Sequence, residues 1–223
     1  MKKINIVSLL DQSYKLLGGY DLPLPRKLAY TWELATRYRD VQRHTLLSFE
    51  KFSSLYRYLK MSAPIAGSIA ELGVYKGGAA KLTATVASNK KVFLFDTFEG
   101  MPNEQPIDKH KAGDFQDTSI ERVSDLLHGL TNVVFRKGYF PDTAKGLEAE
   151  RFSFVHIDGD LYQSTLDALQ FFYPRMAIGG IIILDDYEWE HCPGVKQAMD
   201  EFLVGKPEQP FVRRQYQAVL VKE

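Results

Sequence analysis

Cysteine is nearly missing from this chain. Of 223 residues only Cys192 carries a thiol, so no disulfide can close within the chain and no cysteine-rich zinc site exists. A reducing compartment fits that usage, and the cytoplasm is the expected location. Net charge is missing as well, because 28 Lys and Arg balance 28 Asp and Glu. The chain lacks the basic footprint of a nucleic-acid binder, and no nucleic-acid partner is expected. Long apolar runs are lacking too. The longest, Met176 to Leu184, falls short of the ~18–20 residues that span a bilayer, so no membrane association is expected. The opening MKKINIVSLL is interrupted at Asp11 without a small-residue cleavage site, unlike a secretion signal. There is no G-x-S-x-G elbow, no dinucleotide G-x-G-x-x-G and no P-loop. A serine hydrolase is therefore a poor reading.

What is present begins with two acidic stretches. Phe154 to Tyr162 (FVHIDGDLY) and Gly179 to Tyr187 (GGIIILDDY) are apolar, β-rich runs that stop at carboxylates. Between them Ser164 to Tyr173 has apolar residues at helical spacing. That is a strand, helix, strand unit with parallel strands. Neighbouring parallel strands end on one edge, with tips about 5 Å apart. Asp158, Asp160, Asp185 and Asp186 would then crowd one crevice and repel unless a cation, a proton or a basic partner compensates. Oxygen donors of this kind suit Mg²⁺ or Ca²⁺. Helix capping is the competing role for such aspartates, and for Asp160 it means a helix starting near Ser164.

Upstream, Gly18-Gly19 and the two prolines of Asp21 to Pro25 suggest an N-terminal arm. Residues 1–60 read as arm and helices, a lid or dimer contact, and 61–223 as the catalytic domain. Leu28 to Tyr38 suits a short helix, and Ser48 caps a second through Leu59. Gly67 to Leu72 is a strand ending near Glu71. The turn Gly73-Val74-Tyr75-Lys76-Gly77-Gly78 then runs into a helix through Val86, a cradle where a ligand can approach the backbone. Lys91 to Phe95 is a strand that stops at Asp96. A carboxylate about 20 residues past a glycine turn suits ribose hydroxyls, hence an adenosine-containing ligand. Residues 103–117 read as a long surface loop. Thr118 or Ser119 caps a helix from Ile120 to Leu130, with Val123, Leu126 and Leu127 inward. Asn132 to Arg136 is a strand, Val195 to Leu203 a helix, and 211–214 with 217–221 a closing hairpin. The alternation specifies an α/β fold: a doubly wound sheet, mostly parallel, with a C-terminal antiparallel hairpin. Among the histidines, His156 fits a packed, hydrogen-bonded core position. His44, His110 and His128 read as surface residues, and His191 follows the second acidic stretch.

The motifs IAELGVYKGG (69–78), FDTFEGMP (95–102), DTS (117–119), VHIDGDLY (155–162) and LDDY (184–187) occur in this order. Together they resemble the macrocin O-methyltransferase family. That resemblance implies a class I, Rossmann-like methyltransferase fold, S-adenosyl-L-methionine, Mg²⁺ or another divalent cation, and a homodimer. It places the metal on Asp158, Asp185 and Asp186 and the general base on Asp160. It places cofactor contacts on Glu71, Gly73, Tyr75, Asp96, Thr97, Phe98, Asp117, Ser119 and Asp158. The acceptor it implies is a small hydroxylated molecule, a sugar or glycoside. A catechol-like acceptor and a non-catalytic adenosine-ligand binder stand as alternatives.

Overall fold

A computed structural model describes residues 24–213 and 215–223. The arm expected over residues 1–30 lies largely outside the described residues. Helix α1 (Leu24–Val41) is longer than the Leu28 to Tyr38 expected. Pro25 falls in its first turn, where a missing N–H costs nothing. Helix α2 (Phe49–Ser62) opens as expected, with the Ser48 side chain accepting from the Lys51 amide.

The sheet core follows. Strand β1 (Ser68–Leu72) leads to α3 (Gly78–Val86), and β2 (Val92–Asp96) through the 103–117 loop to α4 (Ile120–Leu126). Then come β3 (Val133–Lys137), β4 (Phe152–Ile157), α5 (Tyr162–Phe172), β5 (Met176–Leu184) and α6 (Pro193–Leu203). Strands β6 (Phe211–Arg213) and β7 (Gln217–Val221) close the chain. Helix α4 is shorter than the Ile120 to Leu130 expected, because the chain tightens at Leu127 and Gly129 turns at φ +84. Val123 and Leu127 are buried as expected, and Leu126 is only half-buried.

Seven strands form one sheet in the order β3-β2-β1-β4-β5-β7-β6. The first five are parallel. β7 runs antiparallel to β5, and β6 antiparallel to β7. Every residue of β1 and β4 is buried, as central parallel strands covered on both faces must be. Alternation along the strands divides the core. Ile69, Leu94, Phe154 and Ile183 face the side of α1, α2, α3 and α4. Ala70, Phe95, Val155 and Ile182 face α5 and α6. On that second face Phe172 packs against Phe95, Phe140 and Phe152 at ring distances of 5.7, 5.4 and 5.1 Å. Burying each ring contributes about 1.5–3 kcal/mol. The strand order reverses between β1 and β4, and ligands of open α/β sheets bind at the carboxyl ends beside such a reversal.

Candidate active site

The tips of β1, β4 and β5 end level. Leu72 pairs with Ile157, and Ile157 with Leu184. The ladder continues one residue further, since the Asp158 amide donates to Leu72 O and the Asp185 amide to Ile157 O. Gly73 makes this close approach possible. It sits at φ +86, and a Cβ there would lie 1.9 Å from the Asp158 carbonyl oxygen.

A cavity of about 510 Å³ opens above these tips. On its β1–β2 side lie Gly73, Tyr75, Asp96 and Thr97. Asp96 Oδ2 accepts from the Val74 and Tyr75 amides at 2.7 and 2.8 Å, and Oδ1 from the Phe98 amide at 2.7 Å. One carboxylate thus fixes both the glycine turn and its own strand exit. With about four lone-pair directions, it retains capacity for a ligand hydroxyl. The other proposed contacts lie behind this wall. Phe98 is buried against Phe135. Asp117 is exposed, accepts from Tyr75 Oη at 2.8 Å and pairs with Lys76. Ser119 caps α4 by accepting from the Arg122 amide, while Thr118 reaches the cavity. Glu71 is fully buried, and its carboxylate lies 3.9 Å from His156 Nδ1 rather than in the cavity.

The β4–β5 side is acidic. Asp158, Asp160 and Asp186 line the cavity. Asp185 lies beneath them, fully buried, accepting from Gln217 Nε2 at 2.5 Å and from His156 Nε2 at 3.2 Å. Among the described residues, two sets of potential ligand atoms lie within 4.8 Å of one another. They are His156 with Asp158 and Asp185, and Asp160 with Asp186 and Cys192. Asp158 and Asp185 therefore share one set, and Asp186 belongs to the other. Burial, reinforced by neighbouring carboxylates, pushes Asp158 and Asp160 well above the usual carboxylate range. Burial also works against the Asp185 carboxylate, but the His156 hydrogen bond and the Lys51 charge hold it below its ordinary value. His156 is buried as well, yet Asp185 and Glu71 keep its proton on well above the usual histidine range. Burial beside Asp160 pushes the Cys192 thiol up. Four of the six side chains in these two sets offer hard carboxylate oxygens, which suit Mg²⁺ or Ca²⁺.

Several site residues have no local signal in the sequence. Lys51 Nζ reaches Asp186 Oδ1 at 2.6 Å across 135 positions. Asp108, in the long loop, caps α5 from 54 positions away, its Oδ1 accepting from the Tyr162 amide. Asp160 therefore does not cap that helix. Its thiol neighbour is Cys192, with Sγ 3.7 Å from Oδ1. His44 and His110, expected at the surface, are half-buried on the cavity wall. Trp189 lines the cavity, and so do Gln215 and Tyr216 of the β6–β7 turn.

The model of the family described as macrocin O-methyltransferase matches residues 44–213. The chain belongs to the macrocin O-methyltransferase family. It is accordingly a methyltransferase, and the non-catalytic alternative falls away. Within the family it is 28% identical to demethyldecarbamoylnovobiocin O-methyltransferase of Streptomyces niveus, over 86% of this chain and 84% of that relative. It is 30% identical to mycinamicin III 3''-O-methyltransferase of Micromonospora griseorubida, over 71% and 70%. The fold agrees with that of the O-methyltransferase NovP, with a TM-score of 0.72 at 24% identity over 98% of this chain and 99% of that one. Calicheamicin methyltransferase CalS11 matches with a TM-score of 0.65 at 20% identity, over 96% and 91%. The segment matched by the macrocin O-methyltransferase model contains the whole acidic cluster and Lys51. It stops short of Gln215, Tyr216 and Gln217.

Proposed function

We propose that this macrocin O-methyltransferase relative transfers a methyl group from S-adenosyl-L-methionine to a hydroxyl of a sugar or glycoside, with Mg²⁺ or a similar divalent cation. The observation that carries the reading is one cavity with two unlike walls. The glycine turn and Asp96 stand on one side of the strand-order reversal, and Asp158, Asp160 and Asp186 on the other. A relative 30% identical over 75% of this chain is named for 4'-O-methylation of a rhamnosyl-bearing tetracenomycin, which supports the acceptor class.

The roles follow from placement. Gly73, Tyr75, Thr97 and Asp158 form the surface available to the cofactor, and Asp96 takes its ribose hydroxyls. Glu71, Phe98, Asp117 and Ser119 act from behind that surface. Asp158, Asp185 and Asp186 would hold the cation, which supplies Lewis acidity that lowers the pKa of an acceptor hydroxyl. Asp160 is half-buried on the cavity wall, lies in reach of the Cys192 thiol and has a raised proton affinity, which suits a general base. It takes the hydroxyl proton as the oxygen–methyl bond forms and the sulfur–methyl bond breaks. The sulfonium then leaves as a neutral thioether.

The test is methyl transfer from radiolabelled S-adenosyl-methionine to a panel of glycosides and phenols. Label should pass to a sugar hydroxyl, fall to background with EDTA and return with Mg²⁺. Asp160→Asn should lower kcat by about 100-fold or more with cofactor affinity intact. Transfer that survives EDTA would remove the cation from the reading. An unaffected Asp160→Asn would remove the base.

A further inference from the structure

Lys51 is the one lysine or arginine among the described residues that lines the cavity at the acidic wall. It sits in the first turn of α2, a place where the helix dipole disfavours a cation. Its stem is nearly buried, with 13% of the side chain exposed against 11% for Asp186. Its ammonium lies 2.6 Å from Asp186 Oδ1 and within the fields of Asp158 and Asp185. Ordering a long, flexible lysine costs side-chain entropy, and burying it costs solvation. Burial opposes its charge, but the three carboxylates outweigh it and hold the ammonium firmly protonated. These are the same three carboxylates that the proposed function assigns to the divalent cation. Lys51 and the cation therefore compete for one set of oxygens.

The geometry points to Lys51 as a resident counter-ion of the carboxylate cluster, one that keeps the cation-free protein folded and must release Asp186 before a divalent cation binds. This inference rests on the proposed function. It adds that cation affinity is set by an exchange, one ammonium out for one divalent ion in, rather than by the oxygen donors alone. It also couples the site to α2, since the lysine is anchored in a turn fixed by the Ser48 cap.

The test uses the full chain, stripped with EDTA and dialysed, as wild type, Lys51→Met and Lys51→Arg. Free Mn²⁺ is followed by electron paramagnetic resonance during titration, and melting is followed with and without Mg²⁺. Lys51→Met should bind Mn²⁺ about tenfold tighter than wild type. It should melt below wild type without metal, and saturating Mg²⁺ should close that gap. Lys51→Arg, which keeps the charge, should stay near wild type in both. Should Lys51→Met fail to fold, Lys51→Gln carries the same comparison. Wild type binding Mn²⁺ while the neutral variants bind it equally or more weakly would overturn the counter-ion role alone. Absence of Mn²⁺ binding in every variant would overturn the cation reading and this inference with it.

Discussion

Gly73 has the least room for a side chain of the described glycines. Its positive φ and the Asp158 carbonyl oxygen, 1.9 Å from where a Cβ would sit, leave no room for any side chain. Gly73→Ala should destabilise the protein by about 3 kcal/mol or more, since strained backbone and a backbone clash add. A urea midpoint within error of wild type would refute that. Strain recurs nearby in residues that are not glycine. Tyr75, Asp160 and Asp186 hold φ values of +50, +57 and +60, and such residues cluster where function needs them. At this scale the sequence was partly legible. Asp158 and Asp185 announce themselves because each ends an apolar run, and strand periodicity brings the two ends together. Lys51 does not, because nothing local distinguishes a lysine of a first helical turn from any solvated one. The two cavity histidines were missed for the same reason: polar neighbours in sequence say nothing about a wall built from distant loops.

Among elements, the C-terminal hairpin does more than complete the sheet. The chain entering β6 carries Glu208, which is 2% exposed and accepts from Tyr173 Oη, Lys222 Nζ and the Glu223 amide. It thereby ties the end of α5 to the end of β7. Burial works against its charge, but the Tyr173 hydrogen bond and the others prevail and hold it down at about 2. A lowered carboxyl stabilises the fold above its unfolded value, near 4.3, and that contribution is lost as pH falls towards 2. Glu208→Gln should therefore lower the melting temperature at pH 7 and flatten its decline between about pH 4.5 and 2. Equal slopes in mutant and wild type would contradict this. Element identity was readable because helical and strand periods differ. Boundaries were less so: α1 gains a first turn that tolerates Pro25, and α4 loses its last turn to Gly129.

For the whole molecule, the sheet order was legible as a class, since strands alternating with helices leave few right-handed arrangements. What the alternation could not supply was depth, which loop closes over the tips and which residues it brings. The two-walled cavity makes a prediction of its own. S-adenosyl-homocysteine at 100 times its dissociation constant should add about 2.7 kcal/mol of stability, raising the melting temperature by roughly 5–10 °C. No shift in differential scanning fluorimetry would count against the cofactor wall. No described helix is long and apolar enough to cross a membrane.

The β6–β7 turn lies beyond the segment that the family pattern matches, yet Gln215 and Tyr216 line the cavity and Gln217 donates to Asp185 from the next position. Cavity lining and support of the acidic wall are thus joined in three consecutive residues. An engineer grafting another family member's turn here would retune which glycoside is accepted, but only grafts that retain the glutamine at the strand's start would keep the machinery beneath in working order.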